Sequence, residues 1–263
     1  MSRRTLTAFL KSDEIVFGPM AETFSPTLVE VYGGLGMDFV WFDLEHLGPS
    51  PYDSTRLENL TRAAELAGVE LVVRLPAPEP AMVRKVLDTG VRNVLVPQIE
   101  TADEVRRVTE AARFAYEGKS GERGLGGVRA NRWAGDMDGY LEREDERTMV
   151  GIMCETKTAV ENIDGILSVP ELGFVFVGPW DLSHSLGHPL EETHPDVRES
   201  IEATEDACRS ADVPVMGFVN TPEQVRQKAE RGYQIQVIGN EIAMLRSGFD
   251  DLLSDLDSAR QDL

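Results

Sequence analysis

The sequence predicts an α/β fold, a (β/α)8 barrel with all-parallel strands. Eight short apolar runs alternate with amphipathic stretches along 263 residues, and parallel strands need helical crossovers to join them. Eight is also the number that closes a barrel of about 250 residues. No G-x-G-x-x-G follows the first apolar run, which weakens the alternative, a doubly wound open sheet. The chain therefore reads as one domain, residues 1–263.

The elements follow in order. "MSRRTLTAFLKSDE" reads as a short amphipathic helix. Arg3 and Arg4 imitate a twin-arginine export signal, but Lys11, Ser12, Asp13 and Glu14 interrupt the apolar stretch of roughly 7–15 residues that a signal needs. Strands are expected at 14–20, 39–45, 70–76, 93–100, 149–155, 174–181, 213–220 and 234–239. Between them lie helical patterns such as "STRLENLTRAAELAG", "TADEVRRVTEAARF" and "TPEQVRQKAERG". Gly68, Gly90 and Gly232 each stop a helix just before a strand. Thr101 and Thr221 sit three residues before Glu104 and Gln224, the capping-box spacing. Residues 117–147 form a long, glycine-rich, charged loop, a length usually tied to function or disorder. In the last helix Ile242, Leu245, Phe249, Leu252 and Leu253 make an apolar stripe. That stripe either closes the barrel or meets another copy of the chain.

Composition excludes several partners. Hydrophobic residues make up 41%, enough for a sizeable core. The formal charge of -20 repels nucleic-acid phosphates and anionic membrane surfaces. No apolar stretch approaches the roughly 20 residues of a membrane span. Of 26 basic residues only Lys11, Lys85, Lys119, Lys157 and Lys228 are lysines. Strong acidity with little lysine suggests a surface hydrated in concentrated salt, as in halophiles; a moderately acidic mesophile is the alternative. The two cysteines, Cys154 and Cys208, form neither a disulfide framework nor a CxxC pair, which fits a reducing cytoplasm.

Barrel enzymes keep their active sites at the C-terminal strand ends, and here those ends collect charge. The second strand ends in Asp43, Glu45 and His46, the third in Arg74, the fifth in Glu155 and the sixth in Asp181. Carboxylates converging on one rim need a cation or a shared proton. Glu155 and Asp181 suit a hard divalent ion such as Mg²⁺ or Mn²⁺, completed by water and substrate oxygens. His46 as a third ligand would favour zinc; as a base, it would have Asp43 nearby to fix its ring. Gly178 and Pro179 precede Asp181 in "VGPWDLS" and, with Trp180, would border the substrate. A glycine there would let backbone N–H groups approach an anion, most naturally a carboxylate.

"FDLEH", "VVRLP", "VPQIETADE", "ETKTAVENIDGIL" and "VFVGPWDLSHSLG" together resemble the HpcH/HpaI family of class II pyruvate-dependent aldolases. The resemblance implies cleavage of 4-hydroxy-2-oxo acids, such as 2-keto-3-deoxy sugar acids, to pyruvate and an aldehyde. It implies Glu155 and Asp181 as ligands of Mg²⁺, Mn²⁺ or Co²⁺, Arg74 as the enolate stabiliser, and His46 with Asp43 as an acid/base dyad. It also implies that "GERGLGGVRANRW" lies beside the site and that the assembly is a hexamer. Two departures bear on specificity: Met153 stands where many relatives carry Gln, and "FGPMAE" lacks a Trp common at the end of the first strand. A class I mechanism would need a Schiff-base lysine, and only Lys157 lies near a strand end. Two other readings remain: an acyl-CoA C–C lyase using Arg123, Arg129 and Arg132 for phosphates, and a non-catalytic barrel that senses an oxo acid.

Overall fold

The computed structural model describes residues 4–261, so Arg3 of the arginine pair lies outside the described residues. Eight parallel strands close in sequence order, with β1 pairing β8. The strands are β1 Val16–Ala21, β2 Phe39–Asp43, β3 Glu70–Arg74, β4 Asn93–Val96, β5 Met149–Cys154, β6 Leu172–Val177, β7 Val215–Phe218 and β8 Tyr233–Asn240. The interior is packed with Phe39, Trp41, Val72, Leu95, Met153, Phe174 and Phe176, among others. Helix α1, Leu6–Leu10, plugs its N-terminal end with Leu6 and Leu10. An outer layer, including Leu57, Val73, Val94 and Ile152, packs the strands against the helices.

The crossover helices are α2 Pro26–Gly34, α3 Ser54–Ala67, α4 Pro80–Asp88 and α5 Ala102–Ala112; the stretch expected as a loop to residue 147 ends instead in a helix, α6 Tyr140–Arg147. Beyond β5 come α7 Lys157–Glu161, α8 Ile163–Leu167, α9 Pro179–Ser185, α10 Pro195–Ser210, α11 Pro222–Glu230 and α12 Glu241–Gln261. The expected stops hold, with Gly68, Gly90 and Gly232 all left-handed. Thr101 and Glu104 complete a reciprocal capping box. At α11 the Thr221 hydroxyl accepts the Gln224 N–H, while the Gln224 side chain reaches one residue further back, to the Asn220 N–H.

Two expectations about position change. Several strands stop short, with β2 ending at Asp43, β4 at Val96 and β6 at Val177. Pro97 and Pro179, which cannot donate to a ladder, follow the last two closely, so Asp181 lies in the first turn of α9 rather than on a strand. The long loop is not beside the strand C-termini. Helix α5 carries the chain down to the N-terminal end, where β5 must start. There Arg129 bonds Glu65 and the Thr89 carbonyl, and Arg92 bonds Glu144 of α6. The segment expected beside the site therefore covers the opposite end of the barrel.

Candidate active site at the C-terminal rim

The register of the barrel builds the first part of the site. Asp43 and Arg74 are direct partners across β2 and β3, so their side chains meet without any loop to position them. Both are buried. Arg74 grips Asp43 with a two-pronged fork, Nε to Oδ1 at 2.7 Å and Nη2 to Oδ2 at 2.5 Å. Its remaining Nη1 lies 3.0 Å from Glu45 Oε2 and 3.6 Å from the Met153 sulfur. Burial opposes charge on Arg74, but hydrogen bonding to Asp43 and the charges of Asp43, Glu45 and Glu155 outweigh it, so its pKa lies above the ordinary arginine value. The guanidinium is a permanent, oriented cation.

Asp43, expected to orient His46, has Arg74 as its direct partner. Asp43 gives both oxygens to Arg74 and also accepts the Glu45 N–H at 2.9 Å. A buried guanidinium without a carboxylate would be too costly, so Asp43 serves Arg74. His46 is exposed, with Nε2 3.7 Å from Glu45 Oε2. Glu45 is thus its acidic neighbour.

Glu155 follows β5 and is 4% exposed. Burial raises its pKa to about 7; the Gln98 N–H and Arg74 pull it down, while Glu45 and Asp181 push it up. A buried carboxyl with two acidic neighbours is what a divalent cation would neutralise, and the donors are all oxygens. Glu155 and Asp181 therefore fit a hard metal ion as its protein ligands. Asp181 is exposed, leaving room for water or substrate on that side.

Gln98 is the residue that sequence reading missed. Its backbone is left-handed, φ +56°, although it is not glycine. In this conformation its N–H donates to Glu155 Oε1 at 2.7 Å and its side-chain amide to Glu45 Oε1 at 3.1 Å. Strain of this kind persists where surrounding structure enforces it and gathers at functional sites. Only the Val96–Pro97 break hinted at it in sequence.

Gly178 also serves a steric need at the site. Its N–H is committed to the Cys154 carbonyl at 3.1 Å, and Pro179 has no N–H, so neither offers an anion a donor. A Cβ at Gly178 would lie 2.9 Å from Glu155 Cβ and 3.2 Å from Glu155 Oε2. The glycine makes room for the buried acid. Trp180 is exposed on the rim and donates its indole N–H to Glu192.

The rival chemistries lose their anchors. Lys157 is exposed and pairs with Glu161 of its own helix at 3.7 Å, unlike a lysine desolvated for imine formation. Arg129 and Arg132 line a 230 Å³ cavity with Arg92 and Trp133, at the barrel end away from Glu155. That cavity is smaller than the roughly 300–1,000 Å³ of a drug-sized ligand site, and it does not adjoin the rim chemistry. A coenzyme A thioester reacting at the rim gains nothing from it.

Fold and rim together define a (β/α)8-barrel protein whose ionisable groups gather at the C-terminal strand ends, the active-site end of such barrels. The chain belongs to the HpcH/HpaI aldolase/citrate lyase family, which it matches over residues 17–247. It is 30% identical over 245 residues to the 2-dehydro-3,6-dideoxy-6-sulfogluconate aldolase of Pseudomonas putida, covering 93% of each chain. It is also 30% identical over 246 residues to the hydroxypyruvate/pyruvate aldolase of Roseobacter denitrificans, covering 92% of each. A crystal structure of a family member from Burkholderia cenocepacia superposes with a TM-score of 0.88 at 31% identity, covering 96% of this chain and 98% of that one.

Proposed function

We propose that this protein is a divalent-metal-dependent aldolase that reversibly cleaves a 4-hydroxy-2-oxo acid, of the 2-keto-3-deoxy sugar acid kind, to pyruvate and an aldehyde. The observation that carries the reading is the buried Glu155, raised to about 7 and tied to Arg74, Glu45 and Asp181. Relatives named as aldolases of such acids support the substrate class. Glu155 and Asp181 would hold Mg²⁺, Mn²⁺ or Co²⁺, which when bound polarises the ketone and disperses negative charge.

The chain's own residues perform the rest. His46, exposed at the rim beside Glu45, takes the C4 hydroxyl proton directly or through a water. The C3–C4 bond then breaks, the aldehyde leaves, and the electron pair moves onto the C2 oxygen of the pyruvate half. Arg74 Nη1 supports that oxygen as its charge develops. Asp43 is the positioning residue that holds the guanidinium still. Gly178 keeps the wall beside Glu155 open, and Trp180 borders the aldehyde side. The test is to remove divalent ions with a chelator and restore them one at a time while following pyruvate release from a 2-keto-3-deoxy acid. Undiminished cleavage by metal-free protein would defeat the reading.

We also infer a homo-oligomer, a hexamer assembled from dimers. Within α12 only Glu241 is buried; the other residues whose side chains are described are all exposed. Phe249 and Leu253 are more than half exposed, and Leu245 and Leu252 about half. The stripe therefore does not close its own barrel. The face an eighth helix would cover is open as well: α11 buries no residue, and Val31 of α2 and Leu35 just after it are exposed. An unused helix and an unfilled helix slot on one chain point to exchange of α12 with a second copy. A monomer by light scattering in molar salt would defeat this inference.

A further inference from the structure

Two of the chain's four histidines converge on a single carboxylate oxygen away from Glu155 and Arg74. His188 Nε2 lies 3.3 Å from Asp196 Oδ2, and His194 Nδ1 lies 3.9 Å from the same atom. The three donor atoms fall within 4.8 Å of one another. Both histidines are partly shielded, and Asp196 is open to solvent. The geometry points to a binding site for a borderline transition-metal ion, Zn²⁺ or its neighbours Co²⁺ and Ni²⁺, held by His188, His194 and Asp196.

The spacing suits that chemistry. Tetrahedral zinc with bonds of about 2.0–2.2 Å to nitrogen and oxygen places its ligand atoms about 3.3–3.5 Å apart. The observed 3.3 Å already matches, the 3.9 Å is longer, and the two histidine nitrogens, within 4.8 Å of one another, close on the ion as the rings turn. Two imidazoles favour zinc-like ions over Mg²⁺, which prefers an all-oxygen shell. The tautomer of His194 is suitable too. Its Nδ1 accepts the Asp196 N–H at 3.3 Å, so that nitrogen carries a lone pair, the form that ligates a metal. The two rings lie stacked, centroids 3.4 Å apart and 15° from parallel. Ligation asks them to turn about the soft χ2 torsion so that both lone pairs meet, and His194 then exchanges its long backbone hydrogen bond for the metal. Ligation through His188 Nε2 uses the tautomer that carries its proton on Nδ1.

The connecting loop holds the ligands together before any ion arrives. The His188 N–H bonds the Ser183 carbonyl at 2.8 Å, and the Leu190 N–H bonds the Ser183 hydroxyl at 3.1 Å. Leu190 is left-handed, φ +66°, where the loop doubles back, and the His194 N–H closes on the Glu191 carbonyl at 2.9 Å. Bound metal would staple the α9–α10 connection, next to the Trp180–Glu192 contact. The role is structural, separate from the Glu155–Asp181 pair.

The test uses the full chain in excess Mg²⁺, titrated with Zn²⁺ by calorimetry and followed by Tm. The wild type should bind one Zn²⁺ per chain that excess Mg²⁺ does not displace, with a rise in Tm. His188→Gln and His194→Asn should each weaken that binding by about tenfold or more, His194→Asn retaining a side chain able to cap α10. Glu155→Gln should leave it in place, which separates this site from the aldolase site whether or not the chain proves to be an aldolase. Unchanged Zn²⁺ affinity in the folded histidine variants, loss of it in Glu155→Gln, or no Mg²⁺-resistant binding by the wild type would overturn the assignment.

Discussion

Arg74 shows how much one residue can depend on a neighbour that the sequence places 31 positions away. Its fork is filled on one side by Asp43, and its remaining Nη1 lies 3.0 Å from Glu45 Oε2. Replacing it with lysine removes that geometry while keeping the charge. We expect Arg74→Lys to lower turnover by about 10²–10³-fold, with a smaller loss of pyruvate affinity, because the full charge exists only in the transition state. Near-normal turnover in a folded Arg74→Lys variant would end the catalytic role. Gln98 offers a second test. Glycine usually destabilises relative to alanine, but at φ +56° the order should reverse. Gln98→Gly should be more stable than Gln98→Ala by about 1 kcal/mol, as denaturant titration would show. Glu155 gives the pH dependence. In metal-free protein its raised pKa costs nothing below the ordinary 4.5, where folded and unfolded forms both carry the proton. Stability should then fall as pH rises from 4.5 through about 7. The Glu155→Gln variant should flatten that slope; an identical slope would show that another group causes it.

At the level of the element, the rim is shaped by where strands are forced to stop. Pro179 opens α9 immediately after Gly178, turning Asp181 from a strand position into a helix first turn. The glycine sits at φ -93°, an ordinary conformation, so its requirement is space alone. An alanine there would press its Cβ onto Glu155 at 2.9 Å. We expect Gly178→Ala to cost about 1–3 kcal/mol of stability, the usual range for overpacking, and to weaken Mg²⁺ binding by displacing the carboxylate. Thermal melts with and without metal would separate the two effects; equal melting in both states to wild type would show that the wall can yield. The first strand's neighbourhood illustrates the same logic. Glu241, at the start of α12, accepts the N–H groups of Glu22 and Thr23 at 2.7 and 2.8 Å. It fixes the loop after β1 from the far end of the chain, a role its sequence neighbours do not announce.

For the whole molecule, the charge of -20 and the exposed α12 act together. Self-repulsion opposes both compactness and assembly, and salt screens it. We expect Tm and the proportion of oligomer to rise together between low salt and molar KCl. Replacing Leu245 and Phe249 with Asp should leave a monomer whose Tm still rises with salt. An oligomer unaffected by those replacements would place the interface elsewhere. Among the described residues no helix is long and apolar enough to cross a membrane.

The barrel was legible because each strand writes its own local signals: apolar runs, helix stops at Gly68, Gly90 and Gly232, and the cap at Thr101. The sequence also marked Asp43, Glu45, His46, Arg74, Glu155 and Asp181 as rim residues, since strand ends are a matter of order along the chain. It could not say which of them touch. Asp43 was expected to orient His46, three residues on; that the parallel register also sets it opposite Arg74 could not be read from the order along the chain. Gln98 became visible only through its backbone conformation and its bonds to Glu45 and Glu155. The 117–147 loop went to the other end of the barrel because α5 descends there. Local pattern determines which elements form, because it depends on neighbours in sequence. Pairing among ionisable groups depends on burial and on distances across the closed sheet, and only the tertiary structure sets those.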